Sequence, residues 1–302
     1  MFTNLFKSAA VVLILVFMYT GTSCTRASNS KPVILVVSFG TSFNGSRTKT
    51  IGAIENAIAA AYPQYEVRRA FTSQIIVDHI EQRDGEKIDN IESAMTRLQK
   101  DGVKELVVQA TQVMSGSEYD EMRGTIKPYE KNFKSVSYGA PLLSSDEDYA
   151  EVAKIITDDT KQYASPDSAV VLMGHGSEHP ANAAYAKFQD TLISSGYSNY
   201  IIGTVEASPG IDDVIAYLDT LGVKKVTMLP FMIVAGDHAN NDMAGDKDDS
   251  WKSILKSKGI TASPVLKGLG ESPAIQQVFV KHAGKAINSV INNSVIDNNA
   301  DS

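Results

Sequence analysis

Five histidines occur in 302 residues, and two of them stand where metal chemistry is easiest to build. His175 sits between Gly174 and Gly176 at the end of one apolar run; His238 closes Ala235-Gly236-Asp237-His238 at the end of another. Glu206 follows a third such run, in Thr204-Val205-Glu206. Two imidazoles and a carboxylate suit a borderline divalent cation such as cobalt, nickel, zinc or iron. The flanking glycines permit tight turns and close approach of a ligand. The competing reading is that each side chain caps its own loop by hydrogen bonding to backbone. A phosphoryl-transfer role for His175 would need an Arg-His-Gly clamp, and Gly174 stands where the arginine belongs.

The remaining chemistry-bearing residues rank lower. His179, four positions after His175, reads as an outer-shell or substitute ligand, while His79 and His282 read as solvated. Arg47, Lys49, Arg68 and Arg69 are the basic candidates for holding an anion in the first half of the chain. The acidic run at residues 246–250, before Trp251, reads as a solvated loop.

What positions these side chains is an alternation of strands and helices. Residues 33–37 form a continuous apolar, β-branched run, as in a parallel strand buried on both faces. Further strands are expected at 65–71, 103–108, 169–173, 200–205 and 223–233, with helices such as 51–61 and 91–98 between them. Such alternation predicts an α/β fold of mainly parallel sheets flanked by helices. Strand ends are where open parallel sheets bind ligands, which gives the His-Glu-His set a common rim.

The chain also repeats itself. Residues 91–118 align without a gap on 211–238 at an offset of 120, pairing Gly102-Val103-Lys104 with Gly222-Val223-Lys224 and Gly116 with Gly236. At an offset of 136, residues 33–40 fall on 169–176. Two similar lobes with a cleft between them follow: an N-terminal lobe at 32–164 and a C-terminal lobe with the metal site at 165–290. The Asn-, Asp- and Ser-rich stretch 291–302 reads as a disordered tail. Because His238 aligns with Glu118 and His175 with Phe39, the lobes share a scaffold while their rim chemistry differs.

The N-terminus reads as an address. Lys7, an apolar run at residues 9–19, and then Thr20-Gly21-Thr22-Ser23 match a secretory signal, expected to occupy residues 1–23. Cys24, the only cysteine, falls where a lipidated residue would begin the mature chain, with 24–31 as linker. The expected location is the periplasm or cell envelope, with membrane contact only through that anchor. A single cysteine excludes a disulfide scaffold. The net charge of −7, which becomes −8 once Lys7 is removed with the signal, argues against nucleic acid as a partner.

Taken in order, six stretches resemble one family. They are Ser38-Phe39-Gly40-Thr41-Ser42, Ala70-Phe71-Thr72-Ser73, Gly116-Ser117-Glu118-Tyr119, Pro141-Leu142-Leu143-Ser144-Ser145, Gly174-His175-Gly176 and the run from Ala235 to Ala244. Together they resemble the CbiK-type anaerobic cobaltochelatases, the sirohydrochlorin-metallating branch of the class II chelatases. The resemblance implies a bilobal α/β fold that inserts Co2+, as substrate metal, into a tetrapyrrole held in the cleft. It implies no nucleotide or redox cofactor, and it permits homo-oligomers. Carried over residue by residue, it implies His175, Glu206 and His238 as metal ligands, and His175, His238 and the cleft carboxylate Glu118 as the catalytic residues. Arg47, Arg68 and Arg69 would then meet the macrocycle's carboxylates. The exported N-terminus departs from the family's pattern and keeps two alternatives open. One is an exported metal- or tetrapyrrole-binding lipoprotein without turnover; the other is a chelatase for Ni2+ or Fe2+.

Overall fold

The computed structural model describes the backbone of residues 31–300 and the side chains of residues 31–289. The expected signal and Cys24 lie outside the described residues. The first lobe runs β1 (Val33–Ser38), α1 (Asn44–Lys49), α2 (Ile51–Ala61), β2 (Glu66–Phe71), α3 (Gln74–Asp84), α4 (Ile91–Lys100), β3 (Glu105–Ala110), α5 (Ser117–Ile126) and β4 (Ser135–Gly139). After α6 (Asp146–Thr160) the second lobe runs β5 (Ala169–Gly174), α7 (Ala183–Ser194), β6 (Tyr200–Thr204), α8 (Ile211–Leu221), β7 (Lys225–Pro230), α9 (Trp251–Ser257) and β8 (Thr261–Pro264), followed by α10 (Pro273–Ala300). Each sheet has four parallel strands, ordered β2-β1-β3-β4 in the first and β6-β5-β7-β8 in the second.

The two orders are the same order, and the internal repeat holds to the residue. β1 and β5 start 136 apart, while β3 and β7, like α4 and α8, start 120 apart. α3, which has no counterpart between β6 and α8, takes up most of the difference between the two offsets. β4 and β8, the last strand of each sheet, are short and polar enough to escape detection by pattern.

Local sequence accounts for the elements. All six residues of β1 are buried, and they alternate between two cores. Ile34 and Val36 face the cluster shared by both lobes, whereas Val33, Leu35 and Val37 face α4. That is the period of two expected of a strand covered on both sides, each large side chain contributing roughly 1.5–3 kcal/mol. α4 begins where Asn90 Oδ1 accepts the Ser93 N–H at 2.8 Å, and it buries Ile91, Ala94, Met95 and Leu98 on one face. α6 opens with a capping box between Ser145 and Asp148.

A boundary near residue 164 does not divide the packing. α6 leaves the first lobe and docks on the second, with Thr160 Oγ1 3.0 Å from Tyr200 Oη. α10 returns and packs on α2, β3 and β4 of the first lobe, where Tyr62 Oη donates to the Val280 carbonyl at 3.0 Å. One cluster therefore spans both sheets, joining Ile34, Val36 and Val107 to Val170, Leu172 and Leu229 through Val152, Ile156, Ile275 and Phe279. The backbone of α10 also continues into the stretch whose composition reads as a tail; no Gly or Pro stands between Lys285 and Ala300 to break it.

His282, expected to be solvated, is instead 1% exposed on the buried face of α10. Its Nδ1 lies 3.0 Å from the Ala140 carbonyl and its Nε2 3.0 Å from Asp148 Oδ1. The periodicity of α10 was too weak to tell its faces apart. His79 is exposed, as expected.

Candidate metal centre

β5 lies between β6 and β7, and their carboxyl ends are in register: Gly174 pairs with Thr204, and Met173 with Pro230. The pairing continues past the strands, since Glu206 N–H donates to the His175 carbonyl at 2.9 Å and Phe231 N–H to the Met173 carbonyl at 2.7 Å. His175 and Glu206 are thus delivered side by side by main-chain bonds alone. Gly176 makes the exit possible. Its φ is +87°, and a Cβ there would lie 2.8 Å from Ala207 N and 2.9 Å from the Thr204 side chain.

His238 arrives from the loop after β7, at the start of a short π-helical turn, Ala239–Met243. His175 and His238 meet edge to face, ring centroids 4.7 Å apart. His175 Nε2 lies 3.8 Å from Glu206 Oε2, and one donor atom from each of the three residues falls within 4.8 Å of the others. Two donors on a tetrahedral ion with bonds of about 2.1 Å are about 3.4 Å apart, so the set needs to contract by up to about 1.4 Å around a cation.

The tautomers favour this use. His175 Nδ1 lies 2.8 Å from the Gly176 carbonyl, which can only accept, so Nδ1 carries the hydrogen. His238 Nδ1 lies 2.7 Å from Asp242 Oδ2, a carboxylate one helical turn on. Each ring therefore keeps its Nε2 lone pair for the cleft, and Asp242 makes His238 a better donor, as outer carboxylates do in metal sites. These bonds also weigh against simple loop capping, because the capping nitrogen in each ring is the one that is not needed for metal.

Across the cleft, Glu118 stands in the first turn of α5, beside Gly116 at its N-terminus. Burial pushes its carboxyl above the usual range, the charge of His175 pulls it back, and Glu121 and Glu206 push it up further. Glu118 is thus within electrostatic reach of His175 and Glu206. The lobes also touch at the rim: a methyl group on Gly236, in the His238 loop, would lie 3.6 Å from Thr41 Oγ1 in the loop after β1.

Each of the three arginines is held by carboxylates. Arg68 and Arg69 lie mid-strand on β2, opposite Leu35 and Val36. Arg68 is paired with Glu66 and Asp101, and Arg69 grips Glu55 through two bonds of 2.8 and 2.6 Å. Arg47 is buried, reaches Glu86 at 2.6 Å and donates to the Thr41 carbonyl at 3.4 Å. The structure thus brings together His175, Glu206, His238 and Glu118, and sets Arg68 and Arg69 among carboxylates of the sheet edge. Two participants escaped the sequence reading. Asp242 carried a usable signal, its i+4 spacing from His238; Tyr185 carried none, although its buried hydroxyl sits 3.4 Å from Gly176 N and its ring fills the space that a side chain at Gly174 would need.

Comparison with known proteins bears on all of this. A family model described as cobalt chelatase (CbiK) matches residues 32–288. A sirohydrochlorin cobaltochelatase of Salmonella typhimurium is 38% identical over 261 residues, covering 86% of this chain and 98% of that protein. Sirohydrochlorin cobaltochelatase CbiKC of Nitratidesulfovibrio vulgaris is 30% identical over 263 residues, covering 86% of this chain and 92% of its own length. Among solved structures, SirB from Bacillus subtilis with Fe3+ has a TM-score of 0.58 at 17% identity, over 86% of this chain and 97% of that one. That last likeness concerns the fold.

Proposed function

The chain belongs to the CbiK cobalt chelatase family, and from that premise we propose that it inserts Co2+ into sirohydrochlorin, with His175, Glu206 and His238 holding the metal and Glu118 accepting a proton. The observation that carries the site assignment is the convergence of three donors on one rim with both imidazole Nε2 atoms left open. A carrier without turnover would use the same rim, but relatives covered almost end to end favour the enzyme.

Insertion exchanges Co2+ for two pyrrole N–H protons, so the macrocycle's net charge is unchanged. Three protein donors leave positions on the ion where ring nitrogens can enter, whereas a closed set would trap it. As each nitrogen binds, a protein ligand must let go. Glu206, the most exposed of the three, is suited to leave first. Glu118 comes from the other lobe, within electrostatic reach of His175 and Glu206, and because burial raises its proton affinity it is a better base than a solvated carboxylate. The second proton goes to a ligand freed by the departing metal or to water. Ligand affinity alone would not select cobalt over nickel or copper, so selectivity has to come from supply and geometry.

The chain lacking residues 1–23, titrated with Co2+ alone, tests the ligand set. We expect a visible cobalt spectrum that His175→Ala and His238→Ala each abolish while far-ultraviolet circular dichroism is retained; an unchanged spectrum in either variant would contradict the assignment.

We also propose that the enzyme works outside the cytoplasm, tethered through lipid on Cys24. Lys7, the apolar stretch 9–19 and the small residues before Cys24 support this. Mass spectrometry of the membrane fraction should find a diacylated N-terminal Cys24. An intact N-terminus on soluble protein would contradict it.

A further inference from the structure

Two residues beyond Glu118, on the same first turn of α5, Asp120 places Oδ2 3.4 Å from His179 Nε2 in the other lobe. His179 is therefore not committed to the metal. Its Nδ1 accepts the Ala181 N–H at 3.1 Å, capping the short 3-10 turn Pro180–Asn182. A ring nitrogen that accepts bears no hydrogen, so in the neutral ring the hydrogen sits on Nε2, the atom turned to Asp120. The capping bond thus fixes both the orientation and the tautomer that the contact across the cleft requires.

Both partners are firmly tied to the chemistry. On the second lobe, Asn182 Oδ1 accepts the Ser177 N–H at 3.0 Å, and Asn182 Nδ2 donates to the Ser208 carbonyl at 2.7 Å. His179 N–H is in turn bonded to Ser177 Oγ at 3.1 Å. The loop carrying His175 is therefore braced against the loop carrying Glu206, with His179 at its tip. On the first lobe, Asp120 and Glu118 share one helical turn, so a constraint on one is felt by the other.

We propose that Asp120 and His179 are a positioning pair that sets the approach of Glu118 to the metal centre, and with it the rate of proton removal from the tetrapyrrole. This rests on the chelatase reading above. The pair touches neither ion nor macrocycle in this role; it acts through Glu118.

The test uses Asp120→Ala and His179→Asn, the latter retaining an oxygen for the Ala181 N–H but too short to bridge the cleft. Single-turnover rates with enzyme in excess are measured for each variant and for both together, in the native and the Glu118→Gln chain. Each change should slow insertion on the order of fivefold, the scale of a partly exposed ion pair. The double variant should be no slower than either single one, and the effect should vanish in the Glu118→Gln chain. Co2+ affinity without tetrapyrrole should not change. Losses that multiply, that persist undiminished in the Glu118→Gln chain, or that track Co2+ affinity would overturn the proposal. Absence of metal insertion by the native chain would instead overturn the chelatase reading, so the two failures are distinguishable.

Discussion

At the scale of single residues, the proposed metal centre depends on which ring nitrogen is left free. Main-chain carbonyl and carboxylate partners hold the Nδ1 hydrogens of His175 and His238, leaving Nε2 of each for the cleft. Asp242→Asn keeps the shape of the outer partner and removes its charge. It should weaken Co2+ binding by about 10–100-fold, as loss of outer-shell partners does, with folding intact; an unchanged binding isotherm would mean that Asp242 does not tune His238. The three proposed ligands were legible as candidates because each ends an apolar run, and runs of that kind are strands with known geometry at their ends. Tyr185 and the contact between Asp120 and His179 were not legible. They exist only because distant segments are brought together, and nothing in the local spacing of those residues marks them.

At the scale of elements, the buried strands β1, β3, β5 and β7 were readable because central parallel strands are apolar throughout. β4 and β8 were not, since edge strands of four or five residues with serines and a terminal Pro264 resemble loops. α10 is the clearest case of tertiary structure overriding local appearance, for it takes His282 into the interface with the β4–α6 connection. Burial alone would push the Asp148 carboxyl up, but the hydrogen bond and charge of His282, with Ser145 and Lys281, outweigh it and hold the group below its ordinary value. A carboxyl held low when folded stabilises the protein above about pH 4, where it is ionised in both states, and that contribution is lost as pH falls through the folded value. His282→Ala leaves Asp148 with Lys281 as its remaining charged partner and should cost about 3 kcal/mol near neutrality. It should also flatten the acid side of the stability profile. Urea unfolding between pH 3 and 7 checks both effects, and a variant as stable as the native chain with the same acid limb would contradict them.

At the scale of the whole molecule, duplication supplies the frame and helix exchange joins its halves. The first was visible as two constant offsets in the sequence; the second was not, because which sheet α6 and α10 cover depends on packing across the lobes. The overall charge of −7 still bears on an acidic substrate, yet the basic residues expected to answer it are engaged by Glu55, Glu66, Glu86 and Asp101. A rim with three candidate donors on one lobe and a carboxylate of raised proton affinity on the other form the core of the account. Its most direct test is to follow the macrocycle's absorbance after mixing Co2+ and excess sirohydrochlorin with the chain lacking residues 1–23. The account predicts a spectral change whose rate is proportional to protein and which continues well past one equivalent; a change that stops at one equivalent, as in a stoichiometric carrier, would contradict it.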